Sequence, residues 1–523
     1  MRKLYPARWI VLAVWLGSWI YVSRYAMLDD ALIHLRYAAF LKQLHFITYD
    51  GVHRTYGTSS LLFVCLLAAL RSVTTSVMLP KALSVVSYLL LLLVLLLLGR
   101  RSAPGRPPRF LWLGLLLTTL SPMGVRWLTD GMETSMVLLA VVLTAWIASL
   151  EQDRGSATFA SYLTVLLFGA ALVLLRVELA SLAVLASCAV MAMRLQATRR
   201  LSWPVLHGTA LAAGSFLALI GMRLVLGSFL PDTALAKSGL PWDTPLAEVP
   251  AVIASSMILG IGSLVLAVLS ASLLLQELVA RRPSALEFAA WASANVPLPL
   301  VVLLACLRGQ GIQGVRYVLW PLLFSTAWNA LEWDKSQHAR DAAGGPLRWA
   351  AWGYAVMLVC LLPFDWRFAH RAMAGRANTF EAMRNAGLDR FRGLPLLAGD
   401  VGFIGYFSGA DVCDLNGLVN GRDAARLSEW ERIHLCVSRH PQVLFLSAAQ
   451  ASDVGQVIPL GHWLVCEQVD FTNARGGDRH YLMVPREAAP STCPGDSSSV
   501  PVAEGPPRPA GMTRTPRLVA LDP

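Results

Sequence analysis

Two adjacent carboxylates, Asp29 and Asp30, close the first apolar run of the chain and open the stretch Asp-Asp-Ala-Leu-Ile-His-Leu-Arg-Tyr. Acids at the edge of a hydrophobic segment are costly unless they hold a charge, a proton or a metal. One aspartate is enough to cap a helix, so the second asks for chemistry. A carboxylate with a pKa of about 3.9 is ionised at neutral pH and can take a proton from an alcohol. A like-charged neighbour raises the proton affinity of one member of the pair. Further polar residues fall at short breaks between apolar runs. They are Asp130 and Glu133 in Leu-Thr-Asp-Gly-Met-Glu-Thr-Ser, Arg176 and Glu178 in Arg-Val-Glu, Asp232 and Lys237 in Leu-Pro-Asp-Thr-Ala-Leu-Ala-Lys, and Arg316 with Tyr317. Each has a simpler role open to it. Glu133 suits the first turn of a helix, Arg176 and Glu178 can pair with each other, Lys237 can snorkel, and Arg316 can anchor a span at an interface.

The elements that would position these groups are membrane helices. The chain is 55% hydrophobic and only 15% charged, with a mean hydropathy of +0.54. A soluble domain carries about 25% charged residues. The net charge of +11 does not mark a nucleic-acid binder, because the basic residues form short clusters between apolar runs, as in cytoplasmic loops. About eleven spans are predicted, at 9–26, 79–99, 110–128, 133–150, 157–175, 177–194, 204–226, 250–279, 286–307, 317–333 and 347–363. No cleavable signal is read at the N-terminus. With these spans the clusters at Arg2–Arg8, Arg100–Arg109, Arg194–Arg200, Arg281–Arg282 and Lys335–Arg348 share one side, the cytoplasm. The N-terminus then lies inside, and the acid pair and the C-terminal segment outside. Residues 58–73 would break this pattern if they crossed fully, so they are read as a helix lying along the outer face or dipping into it.

Residues 1–363 are thus a helical membrane domain, with 29–78 as its first outer loop. Over 364–485 the apolar runs shorten to strand length around an amphipathic stretch, which predicts a small α/β domain. The tail, 486–523, is rich in Pro, Ser and Gly and predicts disorder. Cys413, Cys436, Cys466 and Cys493 lie in the predicted outer domain, where disulfides are permitted; spacing does not give their pairing. No Walker motif, Gly-rich nucleotide fingerprint or internal repeat is present.

In order along the chain, Asp-Asp-Ala-Leu-Ile-His-Leu-Arg-Tyr-Ala and Tyr-Gly-Thr-Ser-Ser-Leu resemble the first outer loop of GT-C glycosyltransferases that use lipid phosphosugars. Gly-Met-Glu-Thr, Arg-Val-Glu, Leu-Pro-Asp-Thr-Ala-Leu-Ala-Lys and the segment from Gly399 to Leu418 are similar to later motifs of that group, in particular of the terminal β-(1→2)-arabinofuranosyltransferase type. Ala39, Phe40 and Leu44 depart from its pattern. The resemblance implies a multi-pass inner-membrane enzyme that inverts the sugar it moves. The sugar would pass from a polyprenyl-phosphate donor to a cell-envelope glycan or lipid acceptor at the outer face. It implies Asp29 or Asp30 as base, and Arg36, Tyr37, Arg176, Lys237 and Arg316 at the donor and its phosphate. Glu133, Glu178, Asp232 and Tyr406 would orient sugar or acceptor. A divalent metal, Mg or Mn, on Asp29 and Asp30 stays open. Two other classes compete: a lipid-linked sugar transporter, and a non-catalytic assembly protein such as a flagellar motor component.

Overall fold

A computed structural model describes residues 5–101, 109–153, 158–200, 202–238, 257–280, 282–295, 315–335, 346–473, 476–488 and 493. The helical part runs α1 (Tyr5–Val22), α2 (Asp29–Leu44), α3 (Leu61–Leu70), α4 (Leu79–Arg101), α5 (Arg109–Leu120), α6 (Pro122–Leu128), α7 (Thr134–Asp153), α8 (Phe159–Leu175), α9 (Leu179–Thr198), α10 (Trp203–His207), α11 (Ala210–Leu226), α12 (Asp232–Ser238), α13 (Met257–Ala280), α14 (Ala285–Asn295), α15 (Val315–Lys335) and α16 (Pro346–Asn385). Four stretches among the described residues are long and apolar enough to cross a membrane by length and composition: Leu79–Gly99, Thr134–Glu151, Leu179–Thr198 and Ile258–Ala280. Shorter apolar helices stand at Ile10–Val22, Leu61–Leu70, Phe159–Leu175 and Ala210–Leu226.

The structure departs from the predicted spans at 110–128, at 204–226, where α10 ends at His207 and α11 begins at Ala210, and beyond 363, while the short helix within 58–73 accords with the reading of that segment. The run 110–128 is broken. Ser121 ends α5 and caps α6, accepting from the Gly124 N–H at 2.8 Å, and Pro122 opens α6, a position where its missing N–H costs nothing. The segment 58–73 holds a helix of ten residues, about 15 Å long and half the thickness of a bilayer core. The last helix does not stop at 363: α16 continues through Pro363 for 40 residues, about 60 Å. The sheet domain therefore begins later than 364. The disorder predicted for the tail falls almost wholly outside the described residues.

Helices pack closely where side chains are small. A Cβ on Gly169 of α8 would overlap the Leu211 carbonyl oxygen, and one on Gly214 of α11 the Leu166 carbonyl oxygen, so these two backbones touch as small residues allow in membrane bundles. Asn295, Ser325 and Asn329 hydrogen-bond across α14 and α15 at 2.6–3.0 Å. Asp365 of α16, 1% exposed, accepts from Ser121 Oγ at 2.9 Å and Met123 N–H at 3.0 Å, and more weakly from Ile258 N–H at 3.4 Å. One carboxylate thus serves unpaired donors at the starts of two other helices.

Beyond α16 the chain forms β1 (Pro395–Ala398), α17 (Val401–Ser408), β2 (Asp411–Asp414), α18 (Arg422–Arg426), α19 (Glu429–Ser438), β3 (Val443–Ser447), α20 (Ala448–Gly455), β4 (Trp463–Asn473) and β5 (Gly476–Pro485). The sheet order is β2-β1-β3-β5-β4. β1 runs parallel to β2 and β3, while β5 is antiparallel to β3 and β4. Val443, Leu444, Phe445 and Leu446 of the central β3 are all buried, as expected of a strand covered on both faces. Disulfides join Cys413 to Cys436 and Cys466 to Cys493.

Replacing Asp365 by Ala should lower stability by roughly 2–4 kcal/mol, because buried N–H donors lose their acceptor. Thermal unfolding in detergent checks this, and Asp365→Asn, which keeps one acceptor oxygen, should lose less.

Candidate active site

The start of α2 is pinned before its acids are reached: Leu28 N–H donates to the Asp130 carbonyl at 3.0 Å. Asp29 then turns toward the sheet domain. Its two carboxylate oxygens accept from the Gly402 N–H at 2.7 Å and the Phe403 N–H at 2.6 Å. Gly402 is required there, since a Cβ would overlap the Asp29 carbonyl oxygen. Burial raises the Asp29 pKa most, followed by the charge of Asp400 and then that of Asp30. The two N–H bonds oppose this, and the carboxyl is pushed up to about 8. Asp30 is half-buried beside it.

Arg36 and Tyr37, expected at the donor phosphate, are committed elsewhere. Arg36 is 6% exposed. It donates from Nε to the Tyr49 carbonyl at 2.8 Å, from Nη2 to the Ala410 carbonyl at 2.8 Å, and from Nη1 to the Gly405 carbonyl. Three carbonyls fill the guanidinium fork, so no bidentate face is left for phosphate. The Tyr37 hydroxyl is fully buried, accepting from Gly57 N–H at 3.0 Å and bonding Thr55 Oγ1 at 3.0 Å. Arg36 clamps the first loop to the sheet domain, and Tyr37 braces that loop internally.

Glu133, Arg176 and Glu178 do come together. Arg176 Nη1 donates to Glu133 Oε1 at 2.9 Å, and its Nε to Glu178 Oε1 at 2.5 Å. His34 extends the network. It lies one turn after Asp30 on the same helix, its Nε2 is 3.4 Å from Glu133 Oε2, and its Nδ1 is 2.8 Å from Thr58 Oγ1. Asp232 is a two-way strap: its Oδ2 accepts from Tyr56 N–H at 2.8 Å, and its own N–H donates to the Tyr56 carbonyl at 2.7 Å. Burial also raises the Asp232 pKa. Tyr406, on α17, is half-buried, and its hydroxyl lies 3.5 Å from Arg71 Nη1. The side chains of Lys237 and Arg316 lie outside the described residues.

Sequence reasoning missed a cationic cluster beside Asp130. Lys81, 5% exposed, enters α4 at its third residue and donates to the Ala26 carbonyl at 3.0 Å. It lies within charge–charge range of Asp130, Arg126 and Arg376. The Arg126 guanidinium lies 4.2 Å over the Trp127 ring. The available signal was a lysine inside the most apolar span, since ionisable residues in such spans point to function. Among the described residues, no group of three or more His, Cys, Asp or Glu side chains is arranged to hold a metal ion.

The fold of the chain is one already seen. The chain shares it with ArnT from Cupriavidus metallidurans, solved bound to undecaprenyl phosphate: the TM-score is 0.50 at 13% identity, over 90% of this chain and 98% of that one. No protein-family model matches the sequence, and no curated protein matches it.

The raised Asp29 pKa fixes the sign of a pH effect. The folded value lies above the ordinary 3.8, so this group's stabilising contribution is complete below that pH and is lost as pH rises through about 8. Asp29→Asn should flatten the fall in Tm between about pH 5 and about pH 8.5. An unchanged slope contradicts the assignment.

Proposed function

We propose that this protein is an inverting glycosyltransferase that moves a sugar from a polyprenyl-phosphate donor to a cell-envelope glycan or lipid acceptor. The reaction takes place at the outer face of the bacterial inner membrane. One observation carries the reading: Asp29 of the acid pair sits at the junction of bundle and sheet domain, in a fold shared with a protein solved bound to undecaprenyl phosphate.

The donor brings its own leaving group, so the protein must supply a base and positive charge. Both Asp29 oxygens already accept backbone N–H bonds, which puts Asp30 first as the base. Its carboxylate takes the acceptor hydroxyl proton, the acceptor oxygen bonds to the anomeric carbon, and the carbon–oxygen bond to phosphate breaks with its electron pair going to the lipid phosphate. Attack opposite the leaving group inverts the centre. Lys81 and Arg376 hold the phosphate in place of Arg36 and Tyr37. Lys237, by the motif resemblance, and Arg316, by its place at the start of a predicted span, are assigned to the same phosphate. Arg176, held between two carboxylates, keeps Glu133 and Glu178 fixed toward the sugar, and Tyr406 lies on the acceptor side.

Mass spectrometry of lipid that co-purifies with the protein should find a polyprenyl phosphosugar. With that lipid as donor, Asp30→Asn should slow transfer at least ~100-fold, with Asp29→Asn also impaired. Full transfer by both variants would overturn the base assignment.

A further inference from the structure

Helix α17 is capped by the wrong aspartate. Asp400 occupies its N-cap position in an extended conformation, where an aspartate ordinarily turns its carboxylate onto the N–H groups of the second and third helical residues. Those residues are Gly402 and Phe403, and both donate instead to Asp29. The Asp400 side chain makes no cap bond. Its Oδ2 lies 2.6 Å from Nε2 of His480 on β5. His480 is 2% exposed while Asp400 is 43% exposed, and the imidazole stacks on Phe445 of β3 at 5.2 Å. A rigid, buried histidine therefore holds an open carboxylate off its own helix and beside the acid pair.

We propose that the His480–Asp400 pair is a positioning element of the reaction site, which sets from the sheet domain both the placement and the charge state of Asp29 and Asp30. Two effects follow from the geometry. By holding Asp400 away, His480 leaves the cap of α17 to Asp29. The negative charge of Asp400 also faces the acid pair, and His480 partly offsets it. Among the described residues, the charged groups around this point include Asp29 and Asp30 from α2, and His480 from β5. Arg36 of α2 faces the other end of α17, through the Gly405 carbonyl. Arg479 precedes His480 on β5 and so points to the opposite sheet face.

The kinetic part of the test rests on the glycosyltransferase reading; the spectroscopic part does not. In the full chain in nanodiscs, infrared titration follows the carboxyl band assigned by its loss in Asp29→Asn and Asp30→Asn. Asp400→Asn removes a like charge and should move the midpoint to lower pH. His480→Phe uncovers that charge and should move it to higher pH, each by about one unit. His480→Gln, which keeps a donor toward Asp400, should move it less than His480→Phe and serves if the Phe variant fails to fold. The acid limb of sugar transfer from the co-purified lipid should move in the same two directions. A merely structural pair would not shift the midpoint in opposite senses, and no movement, or movement in one common direction, overturns the proposal. If the wild-type chain transfers no sugar from that lipid, the glycosyltransferase reading fails, and the infrared titration still decides this one.

Discussion

The carboxylate of Asp29 on the two first free N–H groups of α17 is the contact on which the rest depends. It joins residues 373 and 374 positions apart in sequence. A side-chain acceptor there satisfies donors that any helix start leaves open. The same contact fixes the acid pair, because Asp29 cannot leave without stranding two buried donors. Arg36, two turns further along α2, completes the seam on the Gly405 and Ala410 carbonyls.

Charge is otherwise handled by distributing it in chains. His34, Glu133, Arg176 and Glu178 run from α2 through the start of α7 to the turn before α9. Burying any one of these alone would be costly; together each has a partner of opposite sign or a hydrogen bond. Such networks contribute little net stability against apolar packing, so their persistence at this end of the bundle fits a task more than a scaffold. Asp365 shows the other solution, a lone buried acid surrounded by helix-start donors.

The acid pair, the Glu133 turn and the Arg176–Glu178 turn were legible because each interrupts an apolar run, and interruption is visible in one dimension. The membrane helices were visible for the same reason, down to the clean start of α4 at Leu79. The role of Arg36 was not, since its acceptors are backbone carbonyls that no residue type announces. His34 was hidden by an amphipathic stretch in which a histidine looks ordinary. The break at Ser121-Pro122 carried a readable cap signal that sustained hydrophobicity masked. Pro363 lies at the predicted end of the last span. A proline inside a helix usually kinks or ends it, yet α16 continues, anchored two residues later by Asp365.

That unbroken α16 has a consequence for how the chain can vary. A helix of 40 residues carries the sheet domain out to where α17 meets α2. Deleting a single residue past Pro363 would swing everything beyond it by about 100° and draw it inward by about 1.5 Å. Gly402 and Phe403 would then face away from Asp29. The distal half of this rod is a ruler and a protractor at once.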